Sequence, residues 1–248
     1  MYRGRVRSIL VYMRKHTRSL ILGASAIVAF STLSACSGSS TTEANPSPSS
    51  APATTAVTDD FPDSARYIAD MPMKDGKTMT LGVAVDGEKV VAYACDGSKD
   101  EAWFFGKQDN GALDITGKFQ DTLKAEVAGT DGNTVEGDLT MDGVAYHFSA
   151  PQVADPAGMY TAELDGVRAS WVVRSDNTAT GVQFNGGITG RDFEQAELQQ
   201  LKDVQFRNSV RNKRILQQAA QLQLGSFTST INGKPVTAKL VTGNTTFG

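Results

Sequence analysis

The sequence holds two cysteines and two histidines, Cys36, Cys95, His16 and His147. Cys36 stands where the apolar stretch "SLILGASAIVAF" (Ser19 to Phe30) gives way, through small residues, to a Ser/Thr-rich tail. A thiol is the strongest side-chain nucleophile near neutral pH, so a cysteine at such a junction is suited to covalent modification. Ahead of it lie Arg3, Arg5, Arg7, Arg14, Lys15 and Arg18 and no acid. A basic start, a short apolar run and small residues before a cut site read as a secretory signal peptide. The run is shorter than the roughly 20 apolar residues that cross a bilayer. A buried or anchoring helix is the alternative, but no packed amphipathic pattern follows it. Met13 opens a stretch of ordinary signal-peptide proportions, so no function is rested on the first twelve residues.

The remaining chemistry-bearing residues are sparse. Cys95, in "VVAYACDG", ends an apolar strand, where a buried inert thiol is the ordinary outcome; a reactive or dimer-forming thiol is the alternative. His147, in "VAYHFSA", is the one imidazole beyond the signal segment. A Ser-His-Asp set would have to use it, and no G-x-S-x-G elbow is present. A zinc site would lack the usual close ligand pairs. The acidic turns "DGSKDE" and "TDGNTVEGD" miss the D-x-[DN]-x-[DN]-G calcium loop, and "FNGGITG" lacks the lysine of a phosphate loop. Trp103 in "DEAWFFG" and Trp171 in "RASWVVR" fall on strands, as core residues or as the wall of a ligand pocket.

The elements that position these residues announce themselves through Asx-Gly pairs. Asp75-Gly76, Asp86-Gly87, Asp96-Gly97, Asn110-Gly111, Asp131-Gly132, Asp142-Gly143, Asp165-Gly166, Asn185-Gly186 and Asn232-Gly233 punctuate runs rich in Val, Thr and aromatics. Such pairs tolerate the positive φ angles of two-residue hairpin turns. Their spacing, about ten residues, predicts a mainly β chain, an antiparallel meander forming a sandwich or barrel. Residues 192–224 break the pattern: they lack Gly and Pro and favour helix. Phe193, Leu198, Leu201, Val204, Ile215, Leu216, Ala219 and Leu222 fall on one helical stripe. Asn208, Arg211 and Asn212 interrupt it, which predicts two helical parts meeting near Asn208 to Asn212. The helix covers an edge or end of the sheet, or else binds a partner. A final β-hairpin over 226–248 packs on the domain.

Composition divides the chain further. Residues 36–60, Ser-, Thr- and Pro-rich without large apolar side chains, read as a disordered tether. Residues 61–190 form the β-rich domain and 191–225 the helical segment. After Cys36 the net charge is −9, against −3 for the whole sequence, because the six leading bases lie in the signal segment. Asp203 is the last acid, and Arg207, Arg211, Lys213, Arg214, Lys234 and Lys239 follow it. This asymmetry suits a basic segment docking on the acidic body of its own domain, or an anionic partner; an acidic exported protein argues against nucleic acid.

Two resemblances add to this. Leu33, Ser34, Ala35 and Cys36 resemble the lipobox of bacterial lipoproteins. That implies a diacylglyceryl group on the Cys36 thiol, cleavage between Ala35 and Cys36, and acylation of the new amino terminus. Two or more acyl chains then hold the protein, since one alone binds membranes marginally. Cys95 would be left without an intramolecular disulfide partner. Tyr93, Cys95, Asp96, Gly97 and Trp103, then Pro156, Ala157, Gly158, Tyr160, Trp171 and Val173, resemble the Y-x-C-D-G…W and P-A-G-x-Y…W-x-V pattern of exported or lipid-anchored actinobacterial proteins. This resemblance spans roughly residues 67–187 and implies class and location but no activity; residues 192–224 fall outside it. The expectation is a membrane-anchored extracytoplasmic lipoprotein whose β-rich domain binds or scaffolds an envelope ligand or protein, with no cofactor and no enzyme activity. An envelope hydrolase with a carboxylate-centred site, or a purely structural envelope protein, is the alternative.

Overall fold

Four Asx-Gly pairs close two-residue hairpins with both central residues at positive φ: Asn110-Gly111, Asp142-Gly143, Asp165-Gly166 and Asn232-Gly233. That is the type I′ geometry, whose twist matches that of the flanking strands. In a computed structural model, residues 60–129, 131–186 and 203–247 are described. All belong to one unit, Thr54–Gly248.

Eight strands follow in meander order: β1 (Ser64–Pro72), β2 (Thr78–Asp86), β3 (Lys89–Cys95), β4 (Glu101–Asp109), β5 (Ala112–Thr116), β6 (Thr122–Ala128), β7 (Thr134–Met141) and β8 (Val144–Pro151). Each pairs antiparallel with the next. The sheet curls until the end of β8 returns to β1, where Tyr67 bridges Gln152 and Val153 N–H donates to the Arg66 carbonyl at 2.8 Å. The result is a nearly closed barrel. An eight-stranded barrel is just wide enough for side chains to fill, and Tyr67, Met71, Met79, Leu81, Phe104, Leu123, Leu139 and Met141 fill this one.

A second sheet lies against the barrel wall at β1–β3. Its order is β12 (Leu216–Gln218), β11 (Ala179–Phe184), β10 (Val167–Val173), β9 (Gly158–Leu164) and β15 (Lys239–Leu240). Ile68, Ala84, Val91, Tyr93 and Cys95 from the barrel exterior meet Ala157, Met159, Val172, Val182 and Val241 between the layers. Buried on both faces, β2 and β3 read as continuous apolar runs, whereas β5 alternates buried and exposed. The outer face of the second sheet is covered by the hairpin β13 (Thr228–Ile231) and β14 (Lys234–Thr237) and by Leu222, over Trp171, Ala169 and Tyr160. The expected terminal hairpin is therefore present.

The expected C-terminal helix is present, but its extent is corrected. Residues 192–202, with Phe193, Leu198 and Leu201, lie outside the described residues. Helix α1 (Val204–Asn212) is unbroken at Asn208 and ends at Asn212, the far end of the expected junction; it is capped by Asp203, whose carboxylate accepts from Gln205 and Phe206 N–H. Leu216–Gln218 is strand, not helix: β12 pairs with β11, and Ala219 N–H donates to the Gly181 carbonyl. The open edge of β11 supplies backbone partners that local helix propensity cannot match. Of the stripe, Leu222 is buried while Val204 and Ile215 are exposed. Among the described residues no helix is long and apolar enough to cross a membrane.

Candidate functional site

Strand alternation sorts "EAWFF" into two faces. Ala102 and Phe104 enter the barrel core, and Glu101, Trp103 and Phe105 point outward. Trp103 sits opposite Tyr93 in the β3–β4 register, their ring centroids 4.4 Å apart. Trp103 also stacks with Phe105, at 5.9 Å and 14°. Across from them, β10 and β11 set Arg168 opposite Phe184. The C-terminal tail then brings Phe247 into T-shaped contact with both rings, 4.7 Å from Trp103 at 89° and 5.5 Å from Phe105 at 85°. Arg168 lies over the Phe247 face, Cζ to centroid 4.7 Å, and 5.6 Å from the Trp103 ring.

A buried carboxylate completes the cluster. Glu101, 3 % exposed, accepts from Arg168 Nη2 at 2.9 Å and from the Tyr93 hydroxyl at 3.0 Å. Burial, with the neighbouring Cys95 and Glu101, holds the Tyr93 phenol well above its ordinary range. Cys95, fully buried beside it, has its thiol pushed up to about 12, chiefly by burial. It is a packed thiol. Two donors in the cluster, Trp103 Nε1 and Arg168 Nε, are buried without a hydrogen-bond partner. Phe105 is 44 % exposed, which leaves the cluster open on one side.

The structure separates the two tryptophans. Trp171 is 2 % exposed, donates from Nε1 to the Ala220 carbonyl at 2.9 Å, and packs over Gly181, where a Cβ would stand 2.5 Å from the indole. It is a core residue, not a pocket wall. The three-residue step from Arg168 to Trp171 places them on opposite faces of β10, so this much was legible. Glu101 and Phe105 share the Trp103 face by the same alternation and were overlooked. No local signal pointed to Phe247.

The basic segment docks on the acidic body. Arg211 grips Asp121 through Nη1 at 2.6 and 2.8 Å and Asp100 through Nη2 at 2.9 Å to each oxygen. Arg214 donates to Asp100 and to the Glu101 carbonyl, its guanidinium 4.8 Å from the Phe119 ring. Arg211, which interrupts the apolar stripe in sequence, is nonetheless buried, because its charge is paired. A groove of about 210 Å³ beside this pair is bordered by Phe119, Asp142, Arg207 and Asn208. Asp100 and Asp121 are the facing carboxylates here, and each of their oxygens already accepts at least one hydrogen bond, from arginine or from Asp142 N–H.

The other candidates lie apart. His147 is exposed on β8, its Nδ1 3.3 Å from Asp138. Asp96 Oδ1 accepts the N–H groups of Ser98, Lys99 and Asp100, so this acidic turn is held by its own backbone. Among the described residues no group of three or more His, Cys, Asp or Glu side chains could hold a metal. Comparison with protein families, with curated proteins and with solved structures finds no match.

Proposed function

We propose that this chain is a lipid-anchored extracytoplasmic protein, held in the membrane through Cys36, whose β-rich domain binds a ligand or protein of the cell envelope. The binding surface is the outer face of β4. The observation that carries this is the pairing of a half-buried Trp103 with an exposed, stacked Phe105 beside the Arg168–Glu101 ion pair. Aromatic rings beside a guanidinium are enriched in recognition surfaces. The packed barrel interior supports an exterior site over a luminal one. Binding is favoured over carboxylate-centred hydrolysis because a catalytic pair needs a carboxyl free to exchange a proton, and Asp100 and Asp121 are engaged by Arg211.

A photoreactive phenylalanine analogue at position 105, in intact cells, tests the site. A discrete adduct is expected there and none from the same analogue at Glu126, exposed on β6. Equal adducts from both positions, or none from position 105, would remove the reading. A fatty-acid probe tests the anchor: label is expected on the parent and lost in Cys36→Ala, while label retained on the variant excludes lipidation at that thiol.

A further inference from the structure

The arrangement around Phe247 is complementary to one kind of group. An aromatic ring carries negative charge on its faces and positive charge at its edge. Phe247 meets the rings of Trp103 and Phe105 nearly at right angles, at 89° and 85°, the T-shaped arrangement that aromatic pairs favour. Its own face is turned to the Arg168 guanidinium, the arrangement a cation favours. A saturated ring has no π-face to offer Arg168, and an aliphatic chain has neither edge nor face.

We propose that the space between Trp103, Phe105 and Arg168 is a receptor slot for an aromatic side chain of the Phe or Tyr type, with Phe247 as its resident, displaceable occupant. This rests on the reading of the β4 face as the binding surface. Phe247 is free to leave without disturbing either sheet. It lies beyond β15 and beyond the turn in which Thr245 N–H donates to the Thr242 carbonyl and Thr242 N–H to the Thr245 hydroxyl. That turn is itself tied down, since Asn244 Nδ2 donates to Asp86 and a Cβ on Gly243 would strike the Lys89 carbonyl. The tail is therefore anchored up to Thr245, and Phe247 beyond it is held by ring contacts. Trp103 Nε1 and Arg168 Nε, in the same cluster, are buried donors without acceptors. Glu101 neutralises Arg168, so the slot favours an uncharged ring. The apparent affinity of the parent is the intrinsic affinity multiplied by the fraction of molecules in which Phe247 is out of place.

Trp103 and Trp171 are the two tryptophans of the chain, so the full chain labelled with 5-fluorotryptophan gives two fluorine resonances, assigned with Trp103→Phe. The probe is N-acetyl-L-tyrosinamide, with N-acetyl-L-alaninamide as control. In Phe247→Ala the tyrosine probe is expected to shift the Trp103 resonance saturably, the alanine probe to leave it, and the Trp171 resonance to stay in place as a check on the fold. The parent should need about tenfold more probe, because Phe247 competes. Should Phe247→Ala displace the Trp171 resonance, Phe247→Leu keeps apolar bulk without a π-face and carries the same expectation. No saturable shift in the variant, or equal affinity in parent and variant, would overturn the proposal. A failed titration alongside a discrete adduct at position 105 would dismiss the slot and leave the binding surface standing.

Discussion

Arg211 Nη1 lies 2.6 Å from Asp121 Oδ1, across 90 positions of sequence, with the two side chains 7 % and 3 % exposed. The pair fastens α1 to the β5–β6 end of the barrel, and Asp100 shares the same guanidinium. Removing one partner leaves the other charge buried. Arg211→Ala is therefore expected to lower stability by about 3–5 kcal/mol. Lys234→Ala, which removes a pair exposed at 66 % and 68 %, should leave stability close to that of the parent. Urea titrations of the two variants decide the matter, and equal midpoints would mean that α1 does not belong to the cooperative unit.

Asp96 leads to an acid-side prediction. Its burial would raise the carboxyl, but hydrogen bonds from the Ser98 hydroxyl and from the N–H groups of Asp100, Lys99 and Ser98 outweigh it and hold the group below its ordinary range. A depressed folded value means stability that is present above the unfolded carboxyl value, about 3.9, and lost as pH falls through the folded one. Asp96→Asn should be less stable than the parent at pH 7, and the gap should narrow below about pH 4. Urea midpoints at pH 7 and pH 3 give the comparison; a gap that widens on acidification contradicts the assignment.

Cys95 should label slowly in the native state. With its thiol pushed up to about 12 and no exposed surface, almost no accessible thiolate exists at pH 8. A maleimide is expected to react only as fast as the domain opens, and rapidly in denaturant. Prompt native labelling would instead identify a functional thiol.

How much of this was legible depends on how local the cause is. Asn110-Gly111 and Asp142-Gly143 turn where the sequence places them, because positive φ is a property of two residues. The double burial of β2 and β3 is visible as uninterrupted apolar runs. The burial of Arg211 is invisible in sequence because its partners, Asp100 and Asp121, lie 111 and 90 positions away. Phe247 gave no sign of entering a slot built from β4 and β10 for the same reason. Lipidation of Cys36 is a reading of the sequence alone, since residues 1–59 lie outside the described part.

The contrast between helix and strand after Lys213 yields the last prediction. On a continuous helix, Ile215, Leu216, Ala219 and Leu222 would share one buried stripe, and an aspartate at either end of it would disrupt the core. In the strand arrangement the two ends differ. Ile215 is 60 % exposed and held by backbone bonds, its N–H donating to Gly186 and its carbonyl accepting from Asn185. Leu222 is 4 % exposed, in the cluster with Trp171 and Ile231. Ile215→Asp should therefore change stability by no more than about 0.5 kcal/mol, as surface substitutions do. Leu222→Asp should cost several kcal/mol, about 2–5 for the lost apolar packing with the buried charge in addition. Thermal melts of both variants distinguish the arrangements: similar large losses would restore the helix, and a loss confined to Leu222→Asp supports β12 and the edge it closes.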